Sequence, residues 1–167
     1  MTEKNSPDHG EEELSESHSN DQYLTFVMDD EEYGVDILSV QEIRGWEKPT
    51  KIPNASSYLK GVINLRGTIV PIVDLRARFH LKEVEYTPVT VVIVLKLVSD
   101  NLSRTVGIVV DAVSDVYSII AEDIREPPDI RNSENRQFIK GLANVGKKMV
   151  IILNLSGLLD DDELTEA

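Results

Sequence analysis

The chain has 167 residues, 41% hydrophobic and 5% aromatic, enough for one compact domain or two small units sharing a core. With no cysteine and three histidines, His9, His18 and His80, it excludes disulfides and thiolate chemistry and is too poor in ligands for a zinc or Ser-His-Asp site. Its net charge of −13 repels phosphate backbones and anionic lipid, and no apolar run reaches the roughly 18 residues of a membrane span.

A cytoplasmic protein is therefore expected. Residues 1–20 are rich in Glu, Ser, Asp, His and Asn without apolar periodicity, and read as a disordered acidic tail. Residues 21–80 predict a first β-barrel subdomain. Leu24, Phe26 and Met28 alternate with Tyr23, Thr25 and Val27, and Asp29-Asp30-Glu31-Glu32 reads as a charged hairpin tip. The return strand is expected from Tyr33 to about Ile43, with a bend or bulge where the apolar phase slips between Ile37 and Leu38. Arg44 to Pro53 reads as a loop holding the single tryptophan, Trp46, and Asn54 as the cap of a helical turn through Tyr58. From Gly61 to Leu75, two apolar runs flank the polar break Asn64-Leu65-Arg66-Gly67, the pattern of an antiparallel hairpin. Asp74 then caps a short turn through Phe79.

Residues 80–88 form a polar connection, and residues 87–159 predict a second barrel subdomain. The stretch from Val89 to Leu97 is apolar at almost every position, so its outward face needs a cover. The neighbouring barrel is the expected cover, and a partner protein the alternative. The stretch from Val106 to Val116 echoes Tyr33 to Ile43 at an offset of 73, pairing Gly34 with Gly107, Val35 with Ile108, Val40 with Val113 and Glu42 with Asp115. The stretch from Gly141 to Leu155 repeats Gly61 to Leu75 at an offset of 80 without a gap. The expected fold is all-β: two packed five-stranded barrels of SH3 or OB type from an internal duplication, with few short helices and edge segments open to exchange between barrels. Residues 160–167 lack the ligand spacing of an EF-hand and read as a second acidic tail.

Chemistry is sparse. The acidic residues fall at hairpin tips, in tails and singly on strands. Asp111 and Asp115 are four apart on one predicted strand, hence on one face, with no basic or nucleophilic partner in view. Gly61 and Gly67 punctuate a hairpin and open no helix, so no phosphate cradle follows. An OB-type barrel that binds single strands needs a basic groove with stacking aromatics, which this sequence lacks. What remains is a binding module without metal or cofactor. Within the duplicated hairpin, shared features answer to the fold, and the clearest difference is Arg66-Gly67 against Gly146-Lys147.

Val40-Gln41-Glu42-Ile43-Arg44-Gly45-Trp46, the run from Gly61 to Gly67 and Pro71-Ile72-Val73-Asp74-Leu75-Arg76 resemble the CheW family of chemotaxis coupling proteins. So do Val91 to Val94 and Val106 to Val116, and the resemblance covers about residues 22–160. It implies a non-catalytic adaptor of two five-stranded barrels. Such adaptors bridge the histidine kinase CheA, through its CheW-like regulatory domain, to the cytoplasmic signalling tips of transmembrane chemoreceptors. The resemblance further implies a monomer when free, with no cofactor, drawn from the cytoplasm to receptor arrays. Carried over by motif, the receptor-facing groove involves Ile37, Val40, Glu42, Asn64, Arg66 and Val91, and no kinase-contacting residue is assigned. By residue type alone Ile37, Val40 and Val91 read as core, Glu42 as a solvated face and Asn64 as a turn former. Arg66 stands apart because the duplicate lacks it. The alternatives are a CheW-like regulatory module of CheA or CheV, although no receiver domain is expected after residue 160, and, outside the family, an OB-type nucleic-acid binder disfavoured by charge.

Overall fold

The computed structural model describes residues 20–99, 102–127 and 136–159. The stretches 1–19 and 160–167, read above as acidic tails, and residues 100–101 and 128–135 lie outside the described residues. The described residues include ten strands: β1 (Asn20–Met28), β2 (Glu31–Asp36), β3 (Val40–Gly45), β4 (Leu59–Leu65), β5 (Thr68–Asp74), β6 (Val91–Ser99), β7 (Leu102–Val110), β8 (Ala112–Ile120), β9 (Ile139–Val145) and β10 (Lys148–Leu153). They form two packed five-stranded sheets, and short helices α1 (Leu75–Arg78) and α2 (Leu155–Leu159) follow the hairpins β4–β5 and β9–β10. The fold is all-β, as the sequence pattern requires.

The first sheet runs β8-β1-β2-β10-β9 and the second β3-β6-β7-β5-β4. Each takes a hairpin from one repeat and three strands from the other, so the connection at 80–88 does not separate the sheets. β10 lies parallel to β2 with Ile152 opposite Gly34, and β5 parallel to β7 with Ile72 opposite Gly107. Both sequence repeats meet in these registers, because Ile72 and Ile152 are 80 apart and Gly34 and Gly107 are 73 apart. The duplication is thus structural, and its halves have exchanged their first hairpins reciprocally. Glycine is needed at the contact: a Cβ on Gly107 would lie 2.8 Å from Ile72 Cδ1 and 2.9 Å from Val92 Cγ1.

The chain passes between the sheets at two points, and both correct the sequence reading. The expected strand from Tyr33 to Ile43 is broken. Asp36 ends β2, its Oδ1 accepts from the Leu38 N–H at 2.9 Å, and Ile37–Ser39 make a 3-10 turn before β3. The slip in apolar phase therefore marks a passage from one sheet to the other. The second passage is Asp111, which separates β7 from β8, so Asp111 and Asp115 do not share a strand face. Nor is Asp111 without a basic partner. Arg76 of α1 donates to its two carboxylate oxygens, from Nε at 2.9 Å and Nη2 at 2.7 Å. The Asp29 N–H adds a bond at 3.0 Å, and Arg76 Nη1 reaches the Lys82 carbonyl at 2.7 Å. The Arg76 guanidinium, foremost among these, holds the Asp111 carboxyl below the usual carboxylate range.

The expected helical turn at Asn54 is also absent. Asn54 takes a left-handed φ of 62° after Pro53, the residue pair of a type II turn, which ends any helix at its first step. The main core lies between the sheets and joins Phe26, Met28 and Val35 of the first to Val73, Ile93 and Ile108 of the second. A second cluster, with Val70, Ile72, Val92 and Val94, belongs to the second sheet alone, and a third, with Tyr23, Val150 and Ile152, to the first. Hence the unbroken apolar run of β6: Ile93 and Leu95 enter the shared core while Val92 and Val94 enter their own sheet's cluster. Each such burial stabilises by about 1.5–3 kcal/mol, which commits this strand to the fold on both faces.

Candidate functional site

The hairpins β4–β5 and β9–β10 are equivalent in register but turn by different routes. Arg66 and Gly67 are both left-handed, with φ 51° and 90°, as a type I′ turn requires. Asn64 Oδ1 steadies that turn by accepting the Gly67 N–H at 2.8 Å. In the second turn Gly146 has φ 63° while Lys147 is not left-handed, which suits a type II′ turn. The first copy thus places arginine where the second places glycine. A left-handed backbone costs a residue with a Cβ about 1 kcal/mol, and arginine is not among the side chains enriched there.

That arginine heads a ladder of charges. Arg66 Nη2 donates to Glu42 Oε1. The other oxygen of the same carboxylate, Oε2, accepts from Arg44 Nη1 at 3.0 Å, and Arg44 Nη2 donates to Glu47 Oε1 at 2.7 Å. Glu42 stands on β3 and Arg66 on the turn after β4, so the pair ties together the two outermost strands of the second sheet. Hydrogen bonds from Arg66, then from Arg44, hold the Glu42 carboxyl below its usual range, and Glu47 with Glu42 raises Arg44 further above its own. The Arg66 side chain is still 67% exposed, against 24% for Glu42, so its remaining N–H groups are open to a further acceptor. Among the described residues the first sheet has no such ladder at the equivalent place. Asp115, the counterpart of Glu42, turns its carboxylate to the Val116 N–H at 2.8 Å, and Tyr117 stands for Arg44.

The structure therefore brings Glu42, Asn64 and Arg66 together where the two outermost strands of the second sheet approach each other. Ile37, Val40 and Val91 are half-buried and pack against the core between the sheets. Val40 faces Leu95 and Val91 faces Gly45, so four residues of β6, roughly 13 Å of strand, separate the two valines. Sequence reasoning missed Arg44 and Glu47. The available signal was the spacing of Glu42 and Arg44, opposite charges two apart on a strand and so on one face.

Close by, the Trp46 and Tyr86 rings sit 4.0 Å apart, and the Tyr86 hydroxyl donates to Asp74 Oδ2 at 2.7 Å. Burial, with the Asp74 hydrogen bond, pushes the Tyr86 phenol up. At the first passage between sheets lies an open cleft of 420 Å³ lined by Asp36, Ser39, Leu97, Val98, Lys140 and Ser156, among others. Among the described residues, no group of three or more His, Asp or Glu is placed to hold a metal ion. Residues 1–19 and 160–167 contain eleven acidic residues and one lysine, so ten of the thirteen net negative charges reside there. The case against a nucleic-acid ligand thus rests less on total charge than on the engagement of Arg44, Arg66 and Arg76 with carboxylates.

A model of the CheW-like domain matches residues 22–163. The Chemotaxis protein CheW of Klebsiella aerogenes is 46% identical over 143 residues, spanning 86% of this chain and 84% of that protein. The Chemotaxis protein CheW of Rhizobium meliloti is 39% identical over 140 residues, 84% of this chain and 88% of that one. Among solved structures, the scaffolding protein TtCheW from Thermoanaerobacter tengcongensis aligns with a TM-score of 0.75 and 31% identity, over 86% of this chain and 90% of that chain.

Proposed function

The chain belongs to the CheW-like domain family, and on that premise we propose that it couples chemoreceptors to the histidine kinase CheA. It is a non-catalytic chemotaxis adaptor, so its work is to hold two partners in a fixed relation. One partner is the helical signalling tip of a receptor, the other the CheW-like regulatory domain of the kinase. The free protein is a cytoplasmic monomer, recruited to receptor arrays through the receptor tips.

The receptor-facing surface is centred on Arg66, with Glu42 and Asn64 fixing its turn and Ile37, Val40 and Val91 supplying apolar contact. One observation carries this reading: an arginine occupies a left-handed turn position that the duplicate fills with glycine, and two-thirds of its side chain stays exposed. Such a residue is retained against a backbone cost, which points away from folding and toward recognition. A guanidinium presents five donors in a planar fork, suited to the carboxylates and carbonyls at the end of a helical hairpin. Control then passes between receptor and kinase as a coupling free energy between two sites.

The test is a paired binding assay. Purified protein should be retained by a receptor signalling fragment and by a CheA regulatory domain, and should pass through single-stranded DNA resin at low and high salt alike. Retention on DNA alone, lost in salt, would overturn the assignment.

A further inference from the structure

We infer that Arg44, backed by Glu47, is a positioning residue that sets where Arg66 stands for its partner. The inference rests on the receptor reading of Arg66. Each oxygen of the Glu42 carboxylate is occupied by a different arginine, Oε1 by Arg66 Nη2 and Oε2 by Arg44 Nη1. That division matters because the terminal torsion of a glutamate is soft and nearly two-fold, so an untethered carboxylate turns easily. With Oε2 free, Glu42 can offer both oxygens to the Arg66 fork, the preferred geometry of such a pair. The guanidinium would then be drawn flat against β3, with two of its N–H groups spent internally. Arg44 prevents this by holding one oxygen, and Arg66 is left with one internal bond and an outward-facing remainder.

Glu47 completes the device. It accepts from Arg44 Nη2 at 2.7 Å and is itself 52% exposed, while Arg44 is 33% exposed. Arg44 follows Glu42 by two residues on β3, so both side chains leave the same face of an edge strand. Its two Nη groups are thereby divided between two carboxylates, a span that one ammonium group could not reproduce with the same geometry. In the first sheet neither the equivalent of Arg44, Tyr117, nor that of Arg66, Gly146, carries charge. Ladder and arginine turn are thus both confined to the second sheet, and the equivalent hairpin folds without either.

A double-mutant cycle read by affinity for a soluble receptor signalling fragment tests this. Arg44→Ala should weaken binding about fivefold, the size of a modest coupling between neighbours, and should have no further effect in an Arg66→Ala background. Glu47→Ala should give a smaller loss that vanishes once Arg44 is alanine, and Arg44→Lys should recover only part of the affinity. Melting temperatures within a few degrees of the parent, with unchanged kinase-domain binding, separate positioning from unfolding. If Arg66→Ala binds as the parent does, the receptor reading falls and this inference with it. If Arg66→Ala is weak but Arg44→Ala is unchanged, or its loss simply adds, the receptor reading stands and the positioning role is wrong.

Discussion

The two hairpins β4–β5 and β9–β10 have the same register, an equivalent capping side chain after them and even the same flanking bridge, yet only the first holds its turn cation in a ladder of ion pairs. Thr50 pairs with Val62 beside the first, and Arg125 with Leu142 beside the second. Asp74 Oδ1 accepts from the Arg76 N–H at 2.9 Å, and Asn154 Oδ1 from the Gly157 N–H at 3.3 Å. Two copies of one unit, each folded with its own residues, show what the fold demands. Arg66, Glu42 and Arg44 lie outside that common part. The passages between sheets offer a parallel contrast: Asp111 is locked by Arg76, whereas its counterpart Leu38 is 86% exposed.

The harshest test of the common part is at Gly61 and Gly141. Gly61 has φ 141°, and a Cβ there would lie 2.2 Å from the Thr50 carbonyl oxygen. At Gly141 a Cβ would lie 2.5 Å from Ile124 Cγ2, a side-chain end, and 2.7 Å from the Arg125 carbonyl, without a left-handed φ. Backbone strain and overpacking each cost about 1–3 kcal/mol. Gly61→Ala should therefore lose about 4 kcal/mol and Gly141→Ala about 2, measured by urea unfolding. Equal losses would show that the strained backbone at Gly61 counts for nothing.

Next in size is the lock at the second passage. Asp111→Asn should cost about 2 kcal/mol, as expected for a hydrogen-bonded charge facing an 11% exposed arginine. Leu38→Asn, at the equivalent place, should stay within about 0.5 kcal/mol. The Asp111 carboxyl sits below its ordinary range when folded, so protons bind the unfolded chain more readily. Its stabilisation is complete above the unfolded carboxylate value of about 4 and is lost as pH falls through the lower folded one. Unfolding midpoints compared at neutral and acidic pH should thus show a smaller acid loss in Asp111→Asn than in the parent.

Arg66→Gly sharpens the contrast between turns by making the first resemble the second. Relief of the left-handed strain and the greater freedom of glycine in the unfolded chain roughly offset, so stability should change by less than about 0.5 kcal/mol. Affinity for a receptor fragment should fall about thirtyfold, the loss of an interface arginine of hot-spot size. Lys147→Ala is the smallest expected effect, with no measurable change in folding or in either partner's binding. A receptor defect in Lys147→Ala equal to that in Arg66→Gly would mean that the two turns are functionally equivalent and that the copy difference was misread.

Most of the strands, the duplication and the odd arginine were legible in the sequence, because alternation, turn chemistry and repeats are local patterns that survive without knowledge of contacts, whereas the breaks at Ile37–Ser39 and Asp111 were not. Leu24, Phe26 and Met28 face inward as their spacing requires, and the Asn64–Gly67 break is a turn as its residues require. Which hairpin joins which sheet was settled only in three dimensions. Ile72 meets Gly107 and Ile152 meets Gly34 through side-chain fit across long stretches of chain, and no local pattern encodes that choice. The same holds for charge. Arg76 and Asp111 are 35 positions apart and Glu42 and Arg66 are 24 apart, so their pairing had no periodic signature. An ion pair forms wherever folding happens to set two opposite charges within a few ångströms, and only the packed sheets decide where that is.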